Sequence, residues 1–580
     1  MLSHRIGALL IGLAAFITAP LALAQDAVMP IVTGNERFHP VHARNGMVAS
    51  QEMRASEIGR DILQQGGNAV DAAVATGFAL AVTLPRAGNL GGGGFMLVHL
   101  AETAETIAID YRETAPAAAT RDMYLDANGK ADPKLSRDSG LGTGVPGTVA
   151  GLALAHKTYG SGNFTLAQLI EPAIALAAEG MVVTDDLSMS LTQASERLLK
   201  HPSTAVIFYD FDGKAPAPGT RLAQPALAET LKAIAERGPE AFYDGEVAEK
   251  IATAVRSAGG VMTADDLSSY EPKLREPVRG TYRGHEIVSM PPPSSGGIHV
   301  IQILKMLEGF DLKASGHNSA AHVHLLTETM RRAYADRATY LGDPDHVDVP
   351  VAALIDEAYL MARAQTIDLE KASASADISA GDLPGEESPQ TTHFSVVDKD
   401  GNAVSNTYTL NFSYGLGLVA EGTGVFLNNE LDDFAAAPGV PNAYGLIGGE
   451  ANAPAANKRP LSSMSPTFVF RDGTLRLVTG TPGGSRIISM TAQGISDMVD
   501  FDMNPAEAVA APRMHHQWYP ETLWLERGFS ADTARLLEEM GHSVKTWRAS
   551  GSVQSIMVLD DGLLAGASDP RRPGAGVAGH

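Results

Sequence analysis

A threonine stands where a polar run gives way to a strand, and that position suits a nucleophile. Residues 371–390, KASASADISAGDLPGEESPQ, are rich in Ala, Ser, Gly and Asp. Such a run cannot bury enough apolar surface to fold, so it reads as a flexible tether ending at Gln390. From Thr391 the pattern changes to TTHFSVV, then to turn residues 398–402, then to the β-prone run 403–410. A break of the Gln390–Thr391 bond makes Thr391 a new N-terminus. Its α-amine, with a pKa of about 8, can then serve as base for its own hydroxyl. The alternative on these residues alone is a loop followed by an edge hairpin whose threonines are there for β-propensity.

The hairpin decides what faces Thr391. If Asp400 and Gly401 form a two-residue turn, paired residue numbers sum to about 801. Thr392 then faces Thr409 and Thr391 lies one step away, whereas a bulge pairs Thr391 with Thr409 directly. Either way the Thr409 hydroxyl is expected to hydrogen-bond Thr391.

Other residues could bind or polarise a substrate. Arg112, in TIAIDYRETAP, is flanked by Asp110 and Glu113 and on sequence alone reads as a surface ion pair. Glu430, Asp432 and Asp433 crowd three carboxylates into four positions, either as a solvated turn or as a site for a cation. Residues 435–460 form a Pro/Gly/Ala loop without periodicity, too long for a mere connection, and read as a lid. Ser462 and Ser463 precede a strand, and Gly483 and Gly484 end one. The glycine pair is either a plain turn or a close approach of N–H groups suited to an oxyanion. The run NLGGGGFMLVHL invites a phosphate-loop reading but lacks the Gly-Lys-Ser/Thr ending and the strand–loop–helix order.

These residues need a large scaffold, and 580 residues with 44% hydrophobic content supply one. The length allows two to four domains or one large two-layer sandwich. Residues 51–82 read as two helices, the first ending at Gly66 and Gly67, the second apolar nearly all round and therefore buried. Residues 142–151 turn into a helix, Gly180 stops another, and residues 291–300 form a rigid loop before a third. From residue 321, Val323, Leu326, Met330, Ala333 and Tyr334 share one helical face. Strands follow in TLWLERG and SVQSIMVLDDGLLAGASD, with a helix capped by Ser530 between them. His322 and His324 fall on different faces of one helix, and His515 and His516 read as core and surface, so no metal site is expected.

Residues 1–24 read as a secretory signal, with Arg5, an apolar run too short to span a bilayer comfortably, and the small-residue site Ala22-Leu23-Ala24. An uncleaved anchor is the alternative. The chain is expected to be periplasmic or secreted, with no membrane attachment once the signal is removed. Cysteine is absent, which excludes disulfides, thiol catalysis and cysteine metal sites. The net charge of −23 argues against nucleic acid or anionic lipid as a partner.

Four segments together, TTHFSVVDKDGNAVSNTYTLN, LNNELDDF, ANKRPLSSMSPT and TGTPGGSRI, resemble the γ-glutamyltranspeptidase family of N-terminal-nucleophile hydrolases, over about residues 47–571. The resemblance implies a four-layer αββα sandwich and self-cleavage into a large subunit, residues 25–390, and a small one, residues 391–580. It assigns Thr391 as nucleophile, Gly483 and Gly484 to the oxyanion, and Arg112, Ser462 and Ser463 to the substrate α-carboxylate. Asp433 and Glu430, beside Asn411, go to the α-ammonium, and Tyr444 to the lid. Substrates would be glutathione and related γ-glutamyl compounds, with water, an amino acid or a dipeptide as acceptor and no cofactor. A glutaryl-type cephalosporin acylase and a non-catalytic exported binding protein are the rival readings.

Overall fold

The strands Thr392–Asp398 and Ala403–Thr409 form the predicted hairpin, and it lies inside a sheet, not at its edge. A computed structural model describes residues 37–380, 392–436, 449–548 and 550–580. The antiparallel sheet that holds the hairpin has seven strands. They run in the order Gly576–Gly579, Gly46–Ser50, Thr392–Asp398, Ala403–Thr409, Gly93–Leu100, Glu105–Tyr111 and Lys273–Arg275. Strands from both sides of residue 391 therefore interleave in one sheet. Every residue of both hairpin strands is buried, which removes the edge-hairpin reading.

The register corrects one expectation. Thr392 pairs with Tyr408 and His393 with Thr407, so Thr392 does not face Thr409. The cause is a connection one residue longer than the two-residue turn assumed. Asp398 and Asn402 close the loop, and Gly401 takes the left-handed conformation at φ 86°. The Asp398 carboxylate holds this geometry by accepting from the backbone N–H groups of Asp400, Asn402 and Ala69. A three-residue loop with glycine in that position is the next commonest hairpin connection.

A second seven-stranded sheet runs through Val41–Ala43, Leu564–Ser568, Gln554–Val558, Thr474–Gly480, Thr467–Arg471, His285–Ser289 and Val278–Tyr282. Side chains such as Met47, Phe95, Leu97, Val288, Phe468, Val478 and Ile556 fill the space between the two sheets. The helices Met53–Gln64, Ala69–Thr83 and Leu166–Glu179 cover the outer face of the first sheet. The helices Gly296–Leu307, Ala320–Tyr340 and Arg486–Asp500 cover the second. This is the expected αββα sandwich, with hydrophobic cores between successive layers. The helix Ala69–Thr83 is buried at all of its positions, as its apolar sequence requires.

Two further expectations need correction. The first half of the predicted tether is pinned to the body: Ser375 is buried, and its N–H and hydroxyl donate to the Glu521 carboxylate and the Trp518 carbonyl at 2.7 Å each. Ala372 N–H donates to the Met540 carbonyl, so polar composition is offset there by specific hydrogen bonds. His516, expected near the surface, is buried together with His515. The predicted signal and residues 381–390 lie outside the described residues. Among the described residues no helix is long and apolar enough to cross a membrane.

Candidate active site

The hairpin strand 403–409 ends against the glycine-rich run. Thr409 pairs with Gly93, and Gly94 pairs with Tyr111, so one end of the sheet carries Thr409 and the residues leading to Arg112. The glycines serve this packing and not a phosphate. A Cβ on Gly92 would strike the Thr409 carbonyl oxygen, and one on Gly94 the Thr407 carbonyl. Asn89 ties the corner together: its amide donates to the Thr409 carbonyl at 2.8 Å, while its Oδ1 accepts from Gly92 N–H and the Thr148 hydroxyl. The Thr409 hydroxyl accepts from Asn411 N–H at 2.8 Å, and Asn411 in turn donates to the Asn429 carbonyl. The Asn411 Oδ1 is buried and has no hydrogen-bond partner among the described residues.

Arg112 is not on the surface. Its guanidinium is fully buried, paired with Glu430 and Asp433, and it donates to the carbonyls of Pro460 and Leu461 at 3.1 and 3.2 Å. Glu113 lies 3.7 Å from the same guanidinium. Three buried carboxylates therefore surround one cation, and burial pushes Glu113 and Glu430 upward from the ordinary carboxylate range. Neither oxygen of Glu113 nor Oε2 of Glu430 has a hydrogen-bond partner among the described residues. The solvated-turn reading of residues 430–433 is thus excluded. They form one buried 3₁₀ turn, Glu430–Asp433.

Asp432 is set apart from Arg112, accepting from the Ser136 hydroxyl, and burial pushes it up to about 7. Its folded carboxyl is neutral over a range in which the unfolded one, near 3.8, is ionised. Folding stability is then lost as pH rises from about 4 to about 7, by at most about 4 kcal/mol. Asp432→Asn should cancel this slope, so the melting temperature of the variant should gain on wild type across that interval. Parallel profiles would contradict the assignment.

Ser462 and Ser463 follow directly on the carbonyls that hold Arg112. The Ser462 carbonyl accepts from Ser295 N–H at 2.7 Å, and the Ser463 hydroxyl accepts from Arg337 at 2.8 Å. Asn452 binds both sides of the cluster, donating to the Asp433 carbonyl and accepting from Leu461 N–H. Gly483 and Gly484 have φ values of 146° and 69°, the region that favours glycine. They immediately precede the helix Arg486–Asp500, whose N-terminal dipole favours negative charge there. Gly483 lines the same cavity as Thr409 and Asn411.

The structure thus joins Arg112, Asn411, Glu430, Asp433, Ser462 and Ser463 through contacts, with Thr409 and Gly483 on a shared cavity. Gln390, Thr391 and Tyr444 lie outside the described residues. Sequence reasoning missed Asn89, Asn452 and Arg337, each of which positions a site residue. Arg337 sits on the helix Ala320–Tyr340, where the apolar spacing drew attention to one face while Glu328, Arg331, Arg332, Asp336 and Arg337 are buried as well. Their charges are the missed signal, because buried arginines need specific partners. His324 on this helix meets His542 at 2.8 Å, and its other nitrogen meets the Asp368 carbonyl, while Glu328 is taken by Arg331 and Arg332.

Thr409→Val deletes the hydroxyl that accepts from Asn411 N–H and that is expected to reach Thr391. Loss of one such bond typically costs about 1 to 3 kcal/mol. Chain cleavage at residue 390 should slow about 5- to 150-fold in soluble protein, with Thr409→Ser restoring most of the rate. Normal cleavage in the valine variant would remove Thr409 from the site.

A family model described as gamma-glutamyltranspeptidase matches residues 55–579. The glutathione hydrolase proenzyme of Escherichia coli (strain K12) is 52% identical over 96% of each chain. That of Pseudomonas sp. (strain A14) is 46% identical over 92% of this chain and 94% of the relative. The crystal structure of a cephalosporin acylase from Bacillus halodurans superposes with a TM-score of 0.83 at 28% identity, covering 95% of this chain and 98% of that one. This chain belongs to the γ-glutamyltranspeptidase family.

Proposed function

We propose that the chain is a self-processing γ-glutamyltransferase and glutathione hydrolase. The observation that carries the reading is the buried cluster in which Arg112 is surrounded by Glu113, Glu430 and Asp433 beside the hairpin end. An amino-acid head group brings both charges such a cluster can exchange. Its α-ammonium takes over Asp433 and Glu430, and its α-carboxylate takes the Arg112 fork, supported by Ser462 and Ser463. A group without the ammonium would leave the carboxylates unmatched.

The reaction starts in the uncut chain. The Thr391 hydroxyl attacks the Gln390 carbonyl, and water then hydrolyses the resulting ester, leaving Thr391 with a free amine. Thr409 ends the strand that pairs with Thr392–Asp398, which supports its hydroxyl as the hydrogen-bond partner of the nucleophile. The Thr391 hydroxyl next gives its proton to its own amine and attacks the γ-carbonyl of the donor. Gly483 and Gly484 N–H groups stabilise the oxyanion, an effect worth about 3 to 4 kcal/mol per donor in another hydrolase. The leaving amine departs protonated, and water or an amino-acid or dipeptide amine takes the γ-glutamyl group. Residues 25–390 and 391–580 would remain together as a heterodimer, exported to the periplasm or medium, with Tyr444 in the lid over the site.

Incubation of the processed protein with glutathione should release glutamate, and addition of a dipeptide should divert part of it into a γ-glutamyl dipeptide. Release of neither product would reject the reading.

A further inference from the structure

Asn452 bridges the segments that carry Asp433 and Leu461, and one buried lysine holds Asn452 in place. Lys458 Nζ donates to the carbonyls of Ala451 at 2.5 Å and Ala453 at 3.0 Å, the residues on either side of Asn452. Between these fixed neighbours the Asn452 side chain donates to the Asp433 carbonyl at 2.7 Å and accepts from Leu461 N–H at 3.1 Å, while its own carbonyl accepts from Ala435 N–H. The Leu461 carbonyl accepts from Arg112. The Lys458 backbone closes the circuit from the other end, because its carbonyl accepts at 2.8 Å from the N–H of Ala115, three residues after Arg112. Asn457 turns the chain just before it, in the left-handed region at φ 59° that asparagine tolerates better than most side chains. Lys458 therefore ties together the segments that carry Arg112, Asp433 and Ser462. Its own environment is unfavourable: it is buried, forms no ion pair among the described residues, and burial pushes its ammonium down to about 8, offset only in part by the Asp343 and Glu450 charges and opposed by Arg121. A methionine of similar length would avoid the desolvation of a charge. Local rules broken in this way are expected where a site requires them.

We propose that Lys458 is a positioning residue for the donor head group: acting through Asn452, it sets the spacing between the Asp433 carboxylate and the Arg112 fork without touching the substrate. The inference rests on the γ-glutamyl reading above. An α-ammonium and an α-carboxylate sit on one carbon, so the groups that bind them must keep one fixed separation. Asp433 and Arg112 come from segments more than three hundred residues apart in sequence. The clasp from Lys458 to Ala451 and Ala453 fixes the bridge between them before the donor arrives, so the lysine contributes to donor affinity and not to the chemical step.

The test measures kcat and KM separately on a γ-glutamyl anilide, with the processed protein. Loss of two charge-assisted hydrogen bonds in Lys458→Met predicts a rise in KM of roughly 10- to 100-fold with kcat largely kept. Lys458→Arg should recover much of the affinity, because a guanidinium can also donate to two carbonyls. Since Lys458 and Asn452 act in series, the double variant Lys458→Met/Asn452→Ala should bind the donor no more weakly than Asn452→Ala alone. Where the methionine variant does not accumulate as folded protein, Lys458→Gln, whose shorter amide cannot serve both carbonyls, carries the same comparison. A fall in kcat and melting temperature with KM unchanged is the outcome of a merely structural lysine and overturns the proposal, as do additive losses in the double variant. Wild-type activity on the anilide separates this failure from the other: without it, the γ-glutamyl reading itself fails, and the role of Lys458 with it.

Discussion

Thr391→Ala will remain one uncut chain and will lose γ-glutamyl transfer by roughly 10⁶-fold, the scale on which removal of a nucleophile acts in another hydrolase. Wild type will give two unequal fragments, the smaller beginning Thr-Thr-His-Phe. Alanine has no hydroxyl to attack the Gln390 carbonyl, so neither the ester nor the new amine can form. The surrounding sheet should persist, because the neighbouring strand Thr392–Asp398 is held by partners on both sides, Gly46–Ser50 and Ala403–Thr409. The variant should therefore be soluble and folded. Cleavage of the alanine variant at the same bond would remove the autocatalytic mechanism.

Asp433→Asn will separate donors by charge. A γ-glutamyl anilide carries an α-ammonium and a glutaryl anilide does not, so only the first has use for a second anion beside Glu430. Removal of one partner of a buried hydrogen-bonded charge pair typically costs about 2 to 5 kcal/mol, or about 30-fold to several thousand-fold in kcat/KM. That loss is expected on the γ-glutamyl anilide, with little change on the glutaryl one. Arg112→Lys should harm both, because each donor presents a carboxylate to a fork that lysine cannot reproduce. Equal effects of Asp433→Asn on the two donors would make Asp433 a structural partner of Arg112 and would favour the acylase reading.

Much of the scaffold was legible because its signals are local. The apolar helix Ala69–Thr83, the hairpin around Gly401 and the Ser530 cap each depend on residues close in sequence. The register slipped by one because turn length depends on Asp398, whose carboxylate closes the loop and also caps Ala69 from a distant helix. Arg112 shows the same limit more strongly. Its neighbours Asp110 and Glu113 suggested an exposed ion pair, while its partners Glu430 and Asp433 lie more than three hundred residues away. Motif resemblance bridged that distance where spacing could not. It gave no warning that the carboxylates already occupy the Arg112 fork.

The mass of the denatured protein after rapid quenching with glutathione tests the mechanism most directly. The account predicts one added γ-glutamyl group, carried by the fragment that starts at Thr391 and located on that residue by peptide mapping. An adduct on the large fragment, or glutathione turnover by a chain that remains uncut, would contradict it.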